Sequence, residues 1–133
     1  MPTFTKLTPN LVVADVERSL AFYVDLLGFA PGLHVPDAPP YVFASVTGGS
    51  VEIFLNLAEA VLKDRPEWAG RTVPSPANSM FIEMEGVDAL YDRISARAKV
   101  VMPIVTQWYG MREFGIEDPD GHVIIFAERV QQR

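Results

Sequence analysis

DGHVIIFAE, residues 120–128, repeats the pattern of GGSVEIFLN, residues 48–56: a glycine turn, then an apolar run closed by a polar residue. Glycine supplies the backbone freedom of a tight turn, and the run behind it has the length of a strand. Gly121 follows Gly49 by 72 residues. A second anchor lies upstream. Residues 11–14 form a short apolar strand ending at Asp15, whose carboxylate suits the first turn of a helix. Val16, Leu20, Tyr23, Val24 and Leu27 then recur at helical spacing up to Gly28. The same order returns with residues 80–84, Gly86, and the helical set Val87, Leu90, Tyr91 and Ile94, and Val87 follows Val16 by 71 residues. Two anchors that agree within one residue predict a duplicated unit of strand, helix and three strands.

The expected fold is therefore α+β: two tandem βαβββ modules within one domain of 133 residues. Module one spans residues 1–57, a linker residues 58–78, and module two residues 79–133. The linker, AEAVLKDRPEWAGRTVPSPAN, holds three prolines and a glycine behind a short helix over residues 58–63. PGLHVPDAPP, residues 31–40, reads as an irregular excursion between the helix and second strand of module one. The turn acids after Gly115 read as a hinge: Asp118 bonds local backbone, Pro119 presets the bend, and Gly121 takes any positive φ.

Composition narrows the function. No cysteine is present, which removes disulfides, thiolate metal sites and a cysteine nucleophile. Seventeen acids stand against eleven bases, a net charge of −6, and no basic cluster offers a surface to phosphate backbones. Nucleic acid is thus not an expected partner. MPTFTKLTPN lacks a charged leader and an apolar stretch, and no apolar run is long enough to span a bilayer, so the expectation is a cytoplasmic protein without membrane contact. Hydrophobic residues make up 49% of the chain and include fourteen aromatics, enough to furnish a dimer interface or an apolar pocket besides the core.

The duplicated halves, the opening PNLVVADVERSLAFYVDLLGF and the closing WYGMREFGIEDPDGHVIIFAE resemble the vicinal oxygen chelate superfamily, which comprises glyoxalases, bleomycin-resistance proteins and dioxygenases. The resemblance implies that each half curls its sheet into a cup, that two cups enclose a cavity, and that the protein is a homodimer. It also implies where a metal would be held, by four side chains of the His or Gln, Glu, His, Glu kind. The first position is Thr8, the third Ser79 and the fourth Ile125. The second is Glu52 if VEI is matched to the family's pattern, or Ile53 if the internal repeat is followed. Strand alternation puts these two on opposite faces, so one of them alone reaches the cavity. Either way the set falls short of the three or four protein ligands a catalytic ion needs. The expectation is no family-type metal and no cofactor.

Other chemistry is poorly represented. His34 and His122 have no spaced partner. DPDG, residues 118–121, departs from a calcium loop at Pro119 and at Arg129, where the twelfth-position glutamate would stand. Ser19, Ser75 and Ser79 have no base in their sequence context, and GGS at residues 48–50 is too short to cradle phosphate. KDRPE, residues 63–67, reads as solvated surface.

Ligand candidates cluster near the C-terminus. VIIFA, residues 123–127, is apolar on both faces, which makes Ile125 a pocket wall. Trp108 and Tyr109 suit a flat or cationic ligand, and Arg112 or Glu113 would fix its polar end. Alternation groups Arg112, Phe114 and Ile116 on one face and Met111 and Glu113 on the other. Phe43, Phe54 and Glu52 are the candidates of module one, and Trp68 either caps a pocket or anchors the linker. The expected function is metal-independent binding or sequestration of an apolar or aromatic small molecule, cations among the candidates, as in antibiotic resistance of the bleomycin type. The alternative is a glyoxalase- or dioxygenase-type enzyme with an atypical metal set, or with cofactor-free acid/base chemistry by Glu52, Glu113 or Tyr109.

Overall fold

The computed structural model describes residues 2–70 and 78–130. Two compact units divide the chain, Met1–Thr72 and Val73–Arg133. The expected linker thus falls on both sides of the division; its residues 71–77, Ser75 among them, lie outside the described residues.

Unit one runs β1 (Asn10–Val13), α1 (Val16–Leu20), β2 (Ala30–Val35), β3 (Phe43–Gly48) and β4 (Val51–Leu57), followed by α2 (Ala58–Asp64). Unit two runs β5 (Ser79–Glu83), α3 (Val87–Ile94), β6 (Lys99–Thr106), β7 (Met111–Glu117) and β8 (Val123–Arg129). Each unit forms one mixed sheet, in the order β1-β4-β3-β2 and β5-β8-β7-β6, with the first and last strands of the unit parallel and adjacent. The βαβββ repeat is thus present twice.

The two helices start by different means. Asp15 is extended (φ −153°) and its Oδ1 accepts the Arg18 N–H at 3.0 Å, a side-chain cap within the helix's own sequence. At the matching point of unit two stands Gly86, left-handed at φ 85° and without a side chain to offer. The cap comes instead from β8: Glu128 Oε1 accepts the N–H groups of Gly86 and Val87 at 3.1 and 3.0 Å. A carboxylate there also meets the positive end of the helix dipole.

Beyond Leu20, α1 widens into a π-helical segment, Ala21–Leu26, in which the Leu27 N–H reaches Phe22 O at 3.0 Å. Gly28, at φ 90°, then turns the chain out. The wider turn shifts the buried set: Val16, Ser19, Tyr23, Leu26 and Leu27 are buried, whereas Leu20 and Val24 of the expected stripe are half-buried.

Residues 31–35 are not the irregular excursion expected. They belong to β2, an edge strand paired with β3 and interrupted between Pro31 and His34. Proline is tolerated on an edge, and the interruption absorbs its missing donor. Gly32 is required by proximity, since a Cβ there would stand 2.4 Å from Ser45 Oγ, the group that accepts the Leu33 N–H at 3.0 Å.

Register resolves the one-residue disagreement between the repeat anchors. Asn10 pairs with Phe54 and Phe81 pairs with Ile125, so both members shift by 71 residues. The counterpart of Ile125 is Phe54, neither Glu52 nor Ile53. The extra residue sits in the turn: two residues separate the Gly48↔Val51 pair, whereas three lie inside the Asp118–His122 closure, made by Asp118 N–H to His122 O at 2.9 Å. Asp118 is buried, and its Oδ1 accepts the N–H groups of Asp120 (2.9 Å) and His122 (2.8 Å), while Gly121 takes φ 93°. Asp118 holds the backbone of this turn, as the hinge reading expects, whereas Glu117 pairs with Lys99 at 3.1 Å.

The cap delivered by Glu128 yields a first prediction. Glu128→Ala, which strands two helix-terminal donors, is expected to lower unfolding stability by about 1–2 kcal/mol, the range of a lost N-cap. Urea denaturation measures it, and an unchanged midpoint would show that the cap is idle.

Candidate functional site

Faces are assigned within each unit. In unit two the Phe114 ring lies 5.0 Å from Tyr91 of α3 and 5.3 Å from Phe126. Arg112, Phe114 and Ile116 of β7 and Ile124, Phe126 and Glu128 of β8 therefore face α3. The opposite, helix-free face carries Met111, Glu113, Gly115 and Glu117 from β7, Val123, Ile125, Ala127 and Arg129 from β8, and Ser79, Phe81 and Glu83 from β5. Two expected ligand residues thus sit on the other side. Phe114 is wholly buried as core, and Arg112 is engaged by Asp88 through Nε at 2.9 and 3.1 Å and by Thr106 through Nη1 at 3.0 Å.

Of the two charged neighbours, Glu113 is the one on the helix-free face. Its residue is 2% exposed, and its cross-strand neighbours are Val105 and Ala127, both apolar. The Tyr109 hydroxyl donates to Glu113 Oε2 at 2.7 Å. Tyr109 lies in the loop between β6 and β7, 42% exposed, with its ring edge-on to Trp108 at 5.3 Å; Trp108 itself is 90% exposed. The hydrogen bond to Glu113, then desolvation, then the carboxylate's charge raise the Tyr109 pKa above its ordinary 10.0. Phe81, half exposed beside Ile125, was missed in the sequence, although the alternation within SMFIE could have separated it from Met80 and Ile82.

In unit one, a Cβ on Gly48 would stand 2.8 Å from the Phe29 ring that follows α1, which places Gly48 on the helix side. Ala44, Val46, Ile53 and Leu55 share that side and are buried. Phe43, Ser45, Thr47, Glu52, Phe54 and Asn56 form the helix-free face. Ile53 is core, and Glu52, which pairs with Lys6, is the residue exposed to that face. Phe43 and Phe54 pack edge to face at 5.3 Å. A separate groove of about 340 Å³ at the start of α1 is lined by Asp15, Glu17, Pro40, Tyr41, Leu57 and Glu59. Trp68, 39% exposed, stacks under the Arg65 guanidinium at 5.1 Å, a contact within the linker itself. His34 packs on Tyr41 at 4.6 Å and its Nδ1 contacts Pro36 O.

The donor set does not fit a family-type ion. The positions in question carry Thr8, Phe54, Ser79 and Ile125, two of them hydrocarbon, and Glu52 is two residues from Phe54 on β4. Among the described residues no three His, Asp or Glu side chains converge as metal ligands.

Comparison with known proteins places these features in context. The family described as the Glyoxalase/Bleomycin resistance protein/Dioxygenase superfamily matches residues 5–126. A bleomycin resistance protein of Geobacillus stearothermophilus is 29% identical over 137 residues, covering 92% of this chain and 96% of its own. That of Staphylococcus aureus strain N315 matches equally. Among solved structures, TioX from Micromonospora sp. ML1 superposes with a TM-score of 0.74 at 20% identity, over 96% of this chain and all of that one. The bleomycin-binding protein of Streptomyces verticillus, complexed with copper(II)-bleomycin, does so with 0.63 at 23%, over 99% and 100%. These structural likenesses establish the fold alone.

The Tyr109–Glu113 contact is open to titration. Because the folded-state pKa of Tyr109 is raised, the contact stabilises the fold below the ordinary tyrosine pKa and is lost as pH rises through the folded value. Followed by near-ultraviolet tyrosinate absorbance, Glu113→Gln is expected to bring that late-titrating phenol back toward 10.0. An unshifted curve would show that the carboxylate does not hold the phenol.

Proposed function

The chain belongs to the Glyoxalase/Bleomycin resistance protein/Dioxygenase superfamily, and on that footing we propose that it is a metal-independent small-molecule binding protein of the bleomycin-resistance kind. The observation that carries this reading is Glu113, a buried carboxylate on the helix-free face whose cross-strand neighbours, Val105 and Ala127, are both apolar. A carboxylate removed from water draws a cationic or strongly donating group, since an unpaired charge is costly to bury. Its surroundings, Phe81, Val105 and Ile125, suit the apolar or flat body of the same molecule. Trp108 and Tyr109 add aromatic surface for a cation at the rim. Phe43, Phe54 and Glu52 supply a comparable apolar and acidic surface in unit one.

Hydrocarbon at Phe54 and Ile125 favours binding without an ion over metal-assisted chemistry. The bleomycin resistance proteins among the relatives point to an antibiotic of that type as the ligand, held and thereby sequestered. We take the working form to be a cytoplasmic homodimer that engages neither nucleic acid nor membrane. Exposed Leu33, Val35 and Val101 are apolar surface that a second copy would cover. Among the described residues no helix is long and apolar enough to cross a membrane.

The test is titration with bleomycin, metal-free and copper(II)-loaded, followed by tryptophan fluorescence and calorimetry. Saturable binding is expected, weakened about tenfold in Trp108→Ala, the effect of removing an aromatic anchor. Failure of both forms to bind would sink the assignment, as would one tightly held divalent ion per chain in elemental analysis of the purified protein.

A further inference from the structure

Resting on the reading that the helix-free face of unit two binds ligand, we propose that Tyr109 is a tethered stand-in for the ligand's donor group. Its hydroxyl occupies the Glu113 carboxylate while the face is empty, and it yields that place to an N–H-bearing cation. The ligand class is correspondingly narrow: a primary ammonium, amidinium or guanidinium on an apolar or aromatic body.

The carboxylate's position creates the need for such a stand-in. Glu113 is 2% exposed between Val105 and Ala127, neither of which can donate a side-chain hydrogen bond. A buried acceptor left without a donor costs about 1–3 kcal/mol, more when charged. Tyr109 supplies that donor at 2.7 Å from only four residues away, and among the described residues no buried side-chain N or O atom lacks a partner.

Tyr109 is also placed where leaving is easy. It sits in the loop between β6 and β7 at 42% exposure, its ring touching that of Trp108, which is 90% exposed. On release the hydroxyl turns from the carboxylate to water, where it is solvated, and the ring keeps its place beside Trp108 at the rim. Tyr23, wholly buried in the π-helical continuation of α1, could not behave in this way.

The displacing group follows from the strength of the bond it must replace. The phenol already makes a charge-assisted bond to the carboxylate, but it brings one donor and no charge, whereas an ammonium, amidinium or guanidinium adds the opposite charge and further N–H donors. A neutral alcohol gains nothing over the phenol. A quaternary ammonium brings charge without N–H groups and leaves the carboxylate oxygens without a hydrogen bond. The raised pKa of Tyr109 reports the same contact from the other side and should relax once the phenol is displaced.

Three probes separate these cases: benzamidine, phenyltrimethylammonium and benzyl alcohol, each titrated into the wild-type chain, Tyr109→Phe and Glu113→Gln. Benzamidine is expected to bind Tyr109→Phe about two- to tenfold more tightly than wild type, the equivalent of one net hydrogen bond no longer competing. Glu113→Gln should bind it far more weakly. Saturating benzamidine should return the Tyr109 titration, isolated by subtracting the Tyr109→Phe curve, toward the ordinary range. Equal or weaker binding by Tyr109→Phe would overturn the stand-in role and leave the binding face intact. Absence of benzamidine binding to both wild type and Tyr109→Phe would overturn the face itself. Phenyltrimethylammonium binding as well as benzamidine would overturn the requirement for N–H groups. Tyr109→Phe removes one exposed hydroxyl, so the test stands even if Glu113→Gln folds poorly.

Discussion

Side chains along a paired strand alternate between two faces, and a slip of one residue exchanges all of them. The two faces of each sheet depend on that constraint at β4 and β8, internal strands of their sheets. The turn before β8 is one residue longer than the turn before β4, and Asp118 closes it with its own side chain and backbone. Through that closure Ile125 lies beside Phe81 on the helix-free face while Phe126 packs under α3. Had the turn been cut by one residue without compensation, Phe126 would face outward and the core of unit two would lose its aromatic pair with Phe114.

The same alternation separates two kinds of burial on β7. Phe114 and Ile116 are buried because α3 covers them, which is packing and fills the core. Glu113 is buried on the face without a helix, where a charge is costly and must be partnered. Arg112, its sequence neighbour, points the other way and is satisfied by Asp88 and Thr106. One strand thus carries an ion pair on one side and a buried carboxylate on the other, at adjacent residues.

Much of this was legible in the sequence, for identifiable reasons. The repeat was readable because Asp15, Gly86, Gly49 and Gly121 punctuate it with residues whose backbone roles are restricted. The hinge role of Asp118 followed from turn chemistry that is local. The faces of Arg112 and Glu113 relative to one another followed from alternation, but which of them was inward did not, because that depends on where α3 docks. Phe114 was misplaced for the same reason, as an aromatic beside a charged pair reads alike on either face. The offset between repeats was ambiguous because glycines align by turn and strands align by register, and these differ by one residue. β2 was hidden because two of its six residues, Pro31 and Gly32, are strand breakers unless an edge and an irregularity accommodate them. The exposure of Trp108 left no trace in composition.

The two ways of capping a helix carry a consequence for the order of assembly. Asp15 lies next to the helix it starts, so α1 can nucleate from contacts a few residues apart. The cap of α3 lies 42 residues downstream, on the last strand of its sheet. Loop closure of that length precedes the contact, and its entropy is lost before the cap rewards it. Unit one therefore holds a helix that can form early and template its sheet, while in unit two the helix terminus matures only when β8 has docked. The duplicated architecture thus caps one helix from within its own sequence and the other from the far end of its sheet.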